Sequence, residues 1–166
     1  MIPTVPSGED ETLELLRARS GLSVDEEGRF LHRGEPITHA RTLEVLWRSL
    51  ERAPGGRWLV RVGRESGYVS VQETPYVVRG VRDGPEGGVP RLLLSDGSEE
   101  GLDPATLHAG PDGILRCTLR RGAPARFGRA AQVALGMKLD EDPPGSGTLV
   151  LTLGGIRWPV RGGGSG

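Results

Sequence analysis

Between Gly113 and Leu139 the chain carries Arg116, Arg120, Arg121, Arg126, Arg129 and Lys138, and no Asp or Glu. Clustered guanidinium groups without neighbouring carboxylates recognise phosphate or carboxylate through charge-assisted, often paired hydrogen bonds. The pattern predicts a second helix from about Ala125 to Lys138, placing Arg126 and Arg129 near its start, where free backbone amides also favour anions, with Arg121 in the turn before it. The counterparts of this turn earlier in the chain are Arg33 and Arg41. Arg121, Arg126, Arg129, Arg33 and Arg41 are therefore the candidate ligand-binding residues, and the ligand class is a small anion. The competing explanation is that these arginines pair with acidic segments around Glu9 to Glu14 or Asp140 to Asp142 and staple structure together.

Other chemistries find less support. GRESG around Ser66 does not have the spacing of a nucleophile elbow. His32, His39 and His108 are not spaced as metal ligands, so no metal and no cofactor is expected. Cys117 is the only cysteine, which excludes an intramolecular disulfide, and its place in an alternating strand makes it a small core residue. The glycines of GPEGG and PGSG match neither a phosphate-cradling loop nor a dinucleotide fingerprint. The acidic clusters Asp25 to Glu27 and Ser98 to Glu100 read as solvated turns and lack the ligand spacing of a calcium loop. No catalytic residue is assigned; the enzymatic alternative is a dispersed site using His39, Glu65 and an arginine.

With 21 basic and 22 acidic residues, the formal net charge of −1 gives no global attraction to nucleic acid or an anionic membrane. The acidic start MIPTVPSGEDETLELL is unlike a signal peptide, and no apolar run reaches membrane-spanning length, so a cytoplasmic location is expected. The partner is either the anionic small molecule or another protein.

The elements that must position these residues follow from pattern. A helix is expected from about Glu9 to Arg19, capped by Ser7 and stopped by Gly21. A strand near Arg29 to Arg33, a turn at RGEP, and a helix from about Thr38 to Arg52 with Ile37, Ala40, Leu43, Leu46, Trp47 and Leu50 on one side come next. A hairpin through Trp58 to Val71 completes this unit, and YVVRGVR and RLLLS read as connecting strands around a loop from Gly84 to Pro90. The order then restarts: a strand at Ile114 to Arg120, RGAP, the second helix with an apolar stripe of Phe127, Ala130, Ala134 and Met137, and a hairpin in TLVLTLGGIRWPV. At a fixed offset of 88 residues, Leu31, Arg33, Gly34, Pro36, Arg41 and Val45 match Leu119, Arg121, Gly122, Pro124, Arg129 and Val133. Recurrence of both residues and element order points to an internal repeat.

The phrases GRFLHRGEPI, VGRESGYVSVQETPY, LLLSDGSEEGLDPATL, LRRGAPARFGRA and LTLGGIRWPV, in this order over about residues 25 to 161, resemble the bacterial family named domain of unknown function 1285. The resemblance implies a two-part α+β fold with a repeated motif, no established activity, and a suggested role in signal transduction. Gly63, Ser66 and Glu73 stand where the family pattern has Pro, Lys and Asp, and no ligand role is drawn from that hairpin.

The expectation is thus an α+β protein of two similar strand-helix-strand-strand modules. Residues 1–22 form an N-terminal helical segment, 23–74 the first module, 75–111 a connecting β segment, 112–161 the second module, and 162–166 a Gly-rich tail. Its expected role is that of a non-enzymatic ligand-sensing or signal-transduction module, with a protein-interaction scaffold as the alternative.

Overall fold

The computed structural model describes residues 8–17 and 21–162, so Ser7, Arg19 and most of the RGGGSG tail lie outside the described residues. The chain divides between Pro75 and Tyr76 into two compact units. The architecture is α+β, with three helices and strands in three sheets.

The first unit begins with helix α1 (Gly8–Arg17), whose first turn carries Glu9, Asp10 and Glu11 at the positive end of its dipole. Strands β1 (Leu22–Val24), β2 (Phe30–His32) and β3 (Glu35–Pro36) follow, then helix α2 (Ala40–Ser49) and strands β4 (Leu50–Arg52), β5 (Trp58–Val62) and β6 (Glu65–Val71). All six strands join one sheet in the order β3-β2-β1-β6-β5-β4, with β1 parallel to β6 and the other neighbours antiparallel. Helix α2 buries Thr42, Val45, Leu46 and Trp47, and the Trp47 ring meets Phe30 edge-on at 4.6 Å between centroids. Gly8 lets α1 approach α2 closely, since a Cβ there would lie 2.3 Å from the Arg41 carbonyl oxygen.

Helix α2 is shorter than the periodicity predicts, and Ala40 is exposed instead of buried. Leu50 to Arg52 leave the helix because β5 offers their backbone a complete antiparallel ladder, Leu50↔Val60 through Arg52↔Trp58. Helix propensity is a weak preference that such tertiary pairing outweighs.

The second unit opens with the connecting strands β7 (Tyr76–Arg82), β8 (Arg91–Leu94) and β9 (Glu99–Gly101). Strands β10 (His108–Ala109), β11 (Leu115–Thr118) and β12 (Pro124–Phe127), helix α3 (Arg129–Gly136), and strands β13 (Leu139–Glu141), β14 (Leu149–Leu153), β15 (Ile156–Pro159) and β16 (Arg161–Gly162) complete it. One sheet runs β16-β10-β11-β12-β7-β8-β9 and another β13-β14-β15. Three strands followed by a helix occur in each unit, with three further strands after α2 and four after α3. In each, the first strand of the repeat pairs in parallel with the last stretch of chain, β1 with β6 and β10 with β16. Duplication therefore reaches beyond the short sequence motif. The second copy differs in that its last strands are split between two sheets and β7 extends the sheet beyond β12.

The repeated RGxP motif is a hairpin turn in both copies, not a turn from strand into helix. Arg33 (φ 49°) and Gly34 (φ 84°) form a two-residue loop between paired His32 and Glu35, as a primed turn requires. In the second copy the loop holds Arg120, Arg121 and Gly122, closed by Leu119 N–H to Ala123 O at 2.8 Å, with Gly122 at φ 83°. Each proline then begins or ends a returning strand, where its missing N–H is tolerated. Consequently residues 125–127, expected to be helical, are strand, and α3 starts only at Arg129. The helix buries Ala131 and Leu135; Met137, expected on the apolar stripe, is 83% exposed.

Candidate functional site

Strand alternation sorts the β11–β12 hairpin. Leu115, Cys117, Ala125 and Phe127 point into the core, while Arg116 and Arg126 stand opposite one another on the other face. Gly128 then turns the chain into α3: its N–H donates to Val78 O at 2.9 Å, and no side chain caps the new helix. Gln132, one turn on, fastens the helix to the strand. Its Oε1 accepts from Leu115 N–H at 2.9 Å, and its Nε2 donates to Gly113 O at 2.9 Å.

These elements enclose an open depression of about 390 Å³, lined by Ile114, Arg126, Phe127, Arg129, Gln132 and Val133. Its lining contains two arginines and no carboxylate. Arg126 is half-buried on the sheet, and Arg129 is exposed on the first residue of α3.

A second, smaller crevice of about 220 Å³ lies at the end of the same sheet. Strand β7 begins there with Tyr76; β12 runs parallel to it and β8 antiparallel, which brings the Arg120–Gly122 loop and the Asp96–Ser98 turn to either side of Tyr76. Gly97 N–H donates to Leu94 O at 2.9 Å, and Asp96 Oδ1 accepts from the backbone and hydroxyl of Ser98. Glu100 Oε2 accepts from the Arg120 backbone N–H at 2.8 Å, tying the two loops together. Burial, with the nearby Asp96 charge, raises the Tyr76 phenol above its ordinary range, and the Arg121 guanidinium that hydrogen-bonds it opposes the rise.

The five arginines read from the sequence thus fall in three places. Arg126 and Arg129 share the acid-free depression, Arg121 belongs to the mixed-charge crevice, and Arg33 and Arg41 lie in the first unit, on the β2–β3 turn and the second residue of α2. The basic run also uses partners other than residues 9–14 or 140–142: Arg116 pairs with Asp112 at 3.1 Å, and Lys138 with Asp83. Tyr76, Asp96, Glu100 and Gln132 were not selected from the sequence. Their grouping depends on β12 and β8 flanking β7, and the one available signal was the pair of similar glycine turns, LSDGS and LRRGA.

The other reactive groups singled out in the sequence are placed as follows. His39 caps α2, its Nδ1 accepting from Thr42 N–H at 3.3 Å, and Glu11 approaches the same nitrogen at 3.3 Å. Glu65 opens β6 opposite Val62. Burial, reinforced by Glu100 and Asp103, pushes the Cys117 thiol up to about 12, far from the range of a nucleophilic thiolate. Among the described residues no group of three His, Cys, Asp or Glu could hold a metal ion, and no helix is long and apolar enough to cross a membrane.

No family model matches the chain, and no curated protein matches it. Two crystal structures are similar. A DUF1285 family protein from Silicibacter pomeroyi DSS-3 aligns with a TM-score of 0.67 at 17% identity, covering 84% of this chain and 79% of its own. A DUF1285 family protein from Shewanella baltica OS155 aligns with a TM-score of 0.58 at 15% identity, covering 70% and 90% respectively. At these identities the likeness establishes a DUF1285-like fold, in agreement with the resemblance carried by the sequence phrases.

Proposed function

We propose that the chain is a non-enzymatic, cytoplasmic ligand-sensing module that binds a small anion in the depression between β11, β12 and the start of α3. The acid-free lining supports this reading. An anion there meets two guanidinium groups in a lining that itself holds no carboxylate, and the first amides of α3 are left uncapped by a side chain. Gln132 is held by two backbone groups and so fixes the position of the helix relative to Arg126. The volume of about 390 Å³ is at the small end of ligand sites and suits a phosphorylated or carboxylated metabolite. His39 as a helix cap and Cys117 as a buried thiol count against the enzymatic alternative.

Native mass spectrometry of gently purified protein, followed by a thermal-shift screen of phosphate, nucleotides, phosphorylated metabolites and carboxylates, tests the reading. A stabilising anion should lose at least tenfold in affinity in Arg126→Ala and in Arg129→Ala, since hydrogen bonds to charged groups contribute about 1.5–3 kcal/mol. Unchanged affinity in both variants removes the site.

A second reading has its own observation. Val133 on α3 is 61% exposed, and Met137, which caps the helix one turn on, is 83% exposed; together they form an apolar face that a protein-interaction scaffold would use. Partner capture that fails on Val133→Ser with Met137→Ser, together with indifference to every anion, would favour it.

A further inference from the structure

The crevice at Tyr76 is distinct from the arginine depression in both position and charge. Its lining brings Arg120 and Arg121 from one hairpin loop to Asp96, Glu99 and Glu100 from the other. Glu99 is already engaged by Arg91 at 3.3 Å and Arg82 at 3.6 Å, which leaves two positive and two negative groups facing the space. Among the described residues no ion pair joins Arg121 to Asp96 or Glu100, so charges of opposite sign line one crevice without direct contact. Each carboxylate is anchored through one oxygen, Asp96 Oδ1 by Ser98 and Glu100 Oε2 by the Arg120 N–H. The second oxygen of each has no hydrogen bond among the described residues. Tyr76, only 5% exposed, forms one wall, and Leu94, Leu119 and Ala123 give the crevice an apolar portion.

We infer that this crevice binds a small zwitterion, a free α-amino acid with a short apolar side chain, its carboxylate on Arg121 and its ammonium on Asp96 and Glu100. A bare anion gains from Arg121 but is repelled by the two carboxylates, and a bare cation meets the reverse; a molecule carrying both charges satisfies both sets. The volume of about 220 Å³ is below the range of drug-sized ligand sites, which limits the ligand to one small molecule. The apolar residues accommodate the side chain.

The test is titration of ¹⁵N-labelled protein with L-alanine, L-valine and L-leucine, following the amides of Gly97 and Gly122 in the two loops, with L-valinamide and N-acetyl-L-valine as single-charge controls. At least one amino acid should shift both amides and saturate, and each blocked form should bind at least tenfold more weakly. Arg121→Gln and Asp96→Asn should each weaken binding at least tenfold, while Arg129→Ala leaves it unchanged. Both altered side chains belong to turns, and the remaining cross-peaks report whether the fold is kept. The assignment is overturned if no amino acid shifts Gly97 and Gly122, if the blocked forms bind equally well, or if affinity depends on Arg129 instead of Arg121. Failure here leaves the anion site intact, because that site is read by different residues and different ligands.

Discussion

Replacing Gln132 with Ala should destabilise the second unit by about 2–3 kcal/mol, through two hydrogen bonds that no backbone group can replace. The β11–β12 ladder ends at Arg116↔Arg126, so the N–H of Leu115 on that side is served by Gln132 Oε1, while Nε2 serves Gly113 O. Each bond contributes roughly 1 kcal/mol net, and stranding a part-buried N–H costs about 1–3 kcal/mol. The change removes no buried apolar side chain, and alanine is the better helix former by a few tenths of a kcal/mol, so local propensity slightly opposes the loss. For a chain of this size the expected fall in Tm is roughly 4–12 °C. Thermal unfolding gives the magnitude, and amide exchange at Leu115 locates it. A loss under about 0.5 kcal/mol, with Leu115 still protected, would refute the view that this side chain extends the sheet ladder into α3.

Three further outcomes follow from the same structure. Leu135→Ala should cost about 2–5 kcal/mol because Leu135 is fully buried, whereas Met137→Ser should change stability by less than about 0.5 kcal/mol; similar effects in denaturant titrations would mean that α3 is rotated from the described orientation. Cys117 in the native protein should resist thiol reagents at pH 8 and react only on denaturation, since its thiol is pushed up to about 12; rapid native labelling would contradict its burial. Asp112, lowered to about 2 by the Arg116 hydrogen bonds and the Ile114 N–H, should titrate with that midpoint by NMR and return toward 3.8 in Arg116→Ala. Because its folded value is depressed, its contribution to stability is complete above the ordinary carboxylate range and is lost as pH falls from about 4 toward 2; an unshifted midpoint would show that the pair is open in solution.

Much of this molecule was legible in its sequence. The α+β class, the N-terminal helix, strands β5, β6, β7, β8, β14 and β15, and the repeated element order follow from periodicities of 2.0 and 3.6 residues and from glycine and proline positions, all local properties of the chain. Burial of Cys117 was also local, because alternation along β11 places it on the face opposite Arg116. Three features depended on tertiary pairing. Leu50 to Arg52 became strand because β5 is there to bond them, and residues 125–127 became strand because β12 lies in parallel with β7. The orientation of α3, with Leu135 inward and Met137 outward, was set by which face meets the sheet; a helix of alanines, valine, leucine and methionine offers several apolar faces of similar strength. The candidate sites were decided in the same way. Residue types showed a basic run, but the strand order placed Arg121 in a crevice shared with carboxylates and Arg126 and Arg129 along a depression whose lining has none. Side-chain charge is encoded at each position, whereas the field at a site is a sum over neighbours from Tyr76 to Gln132 that only the folded sheet brings together.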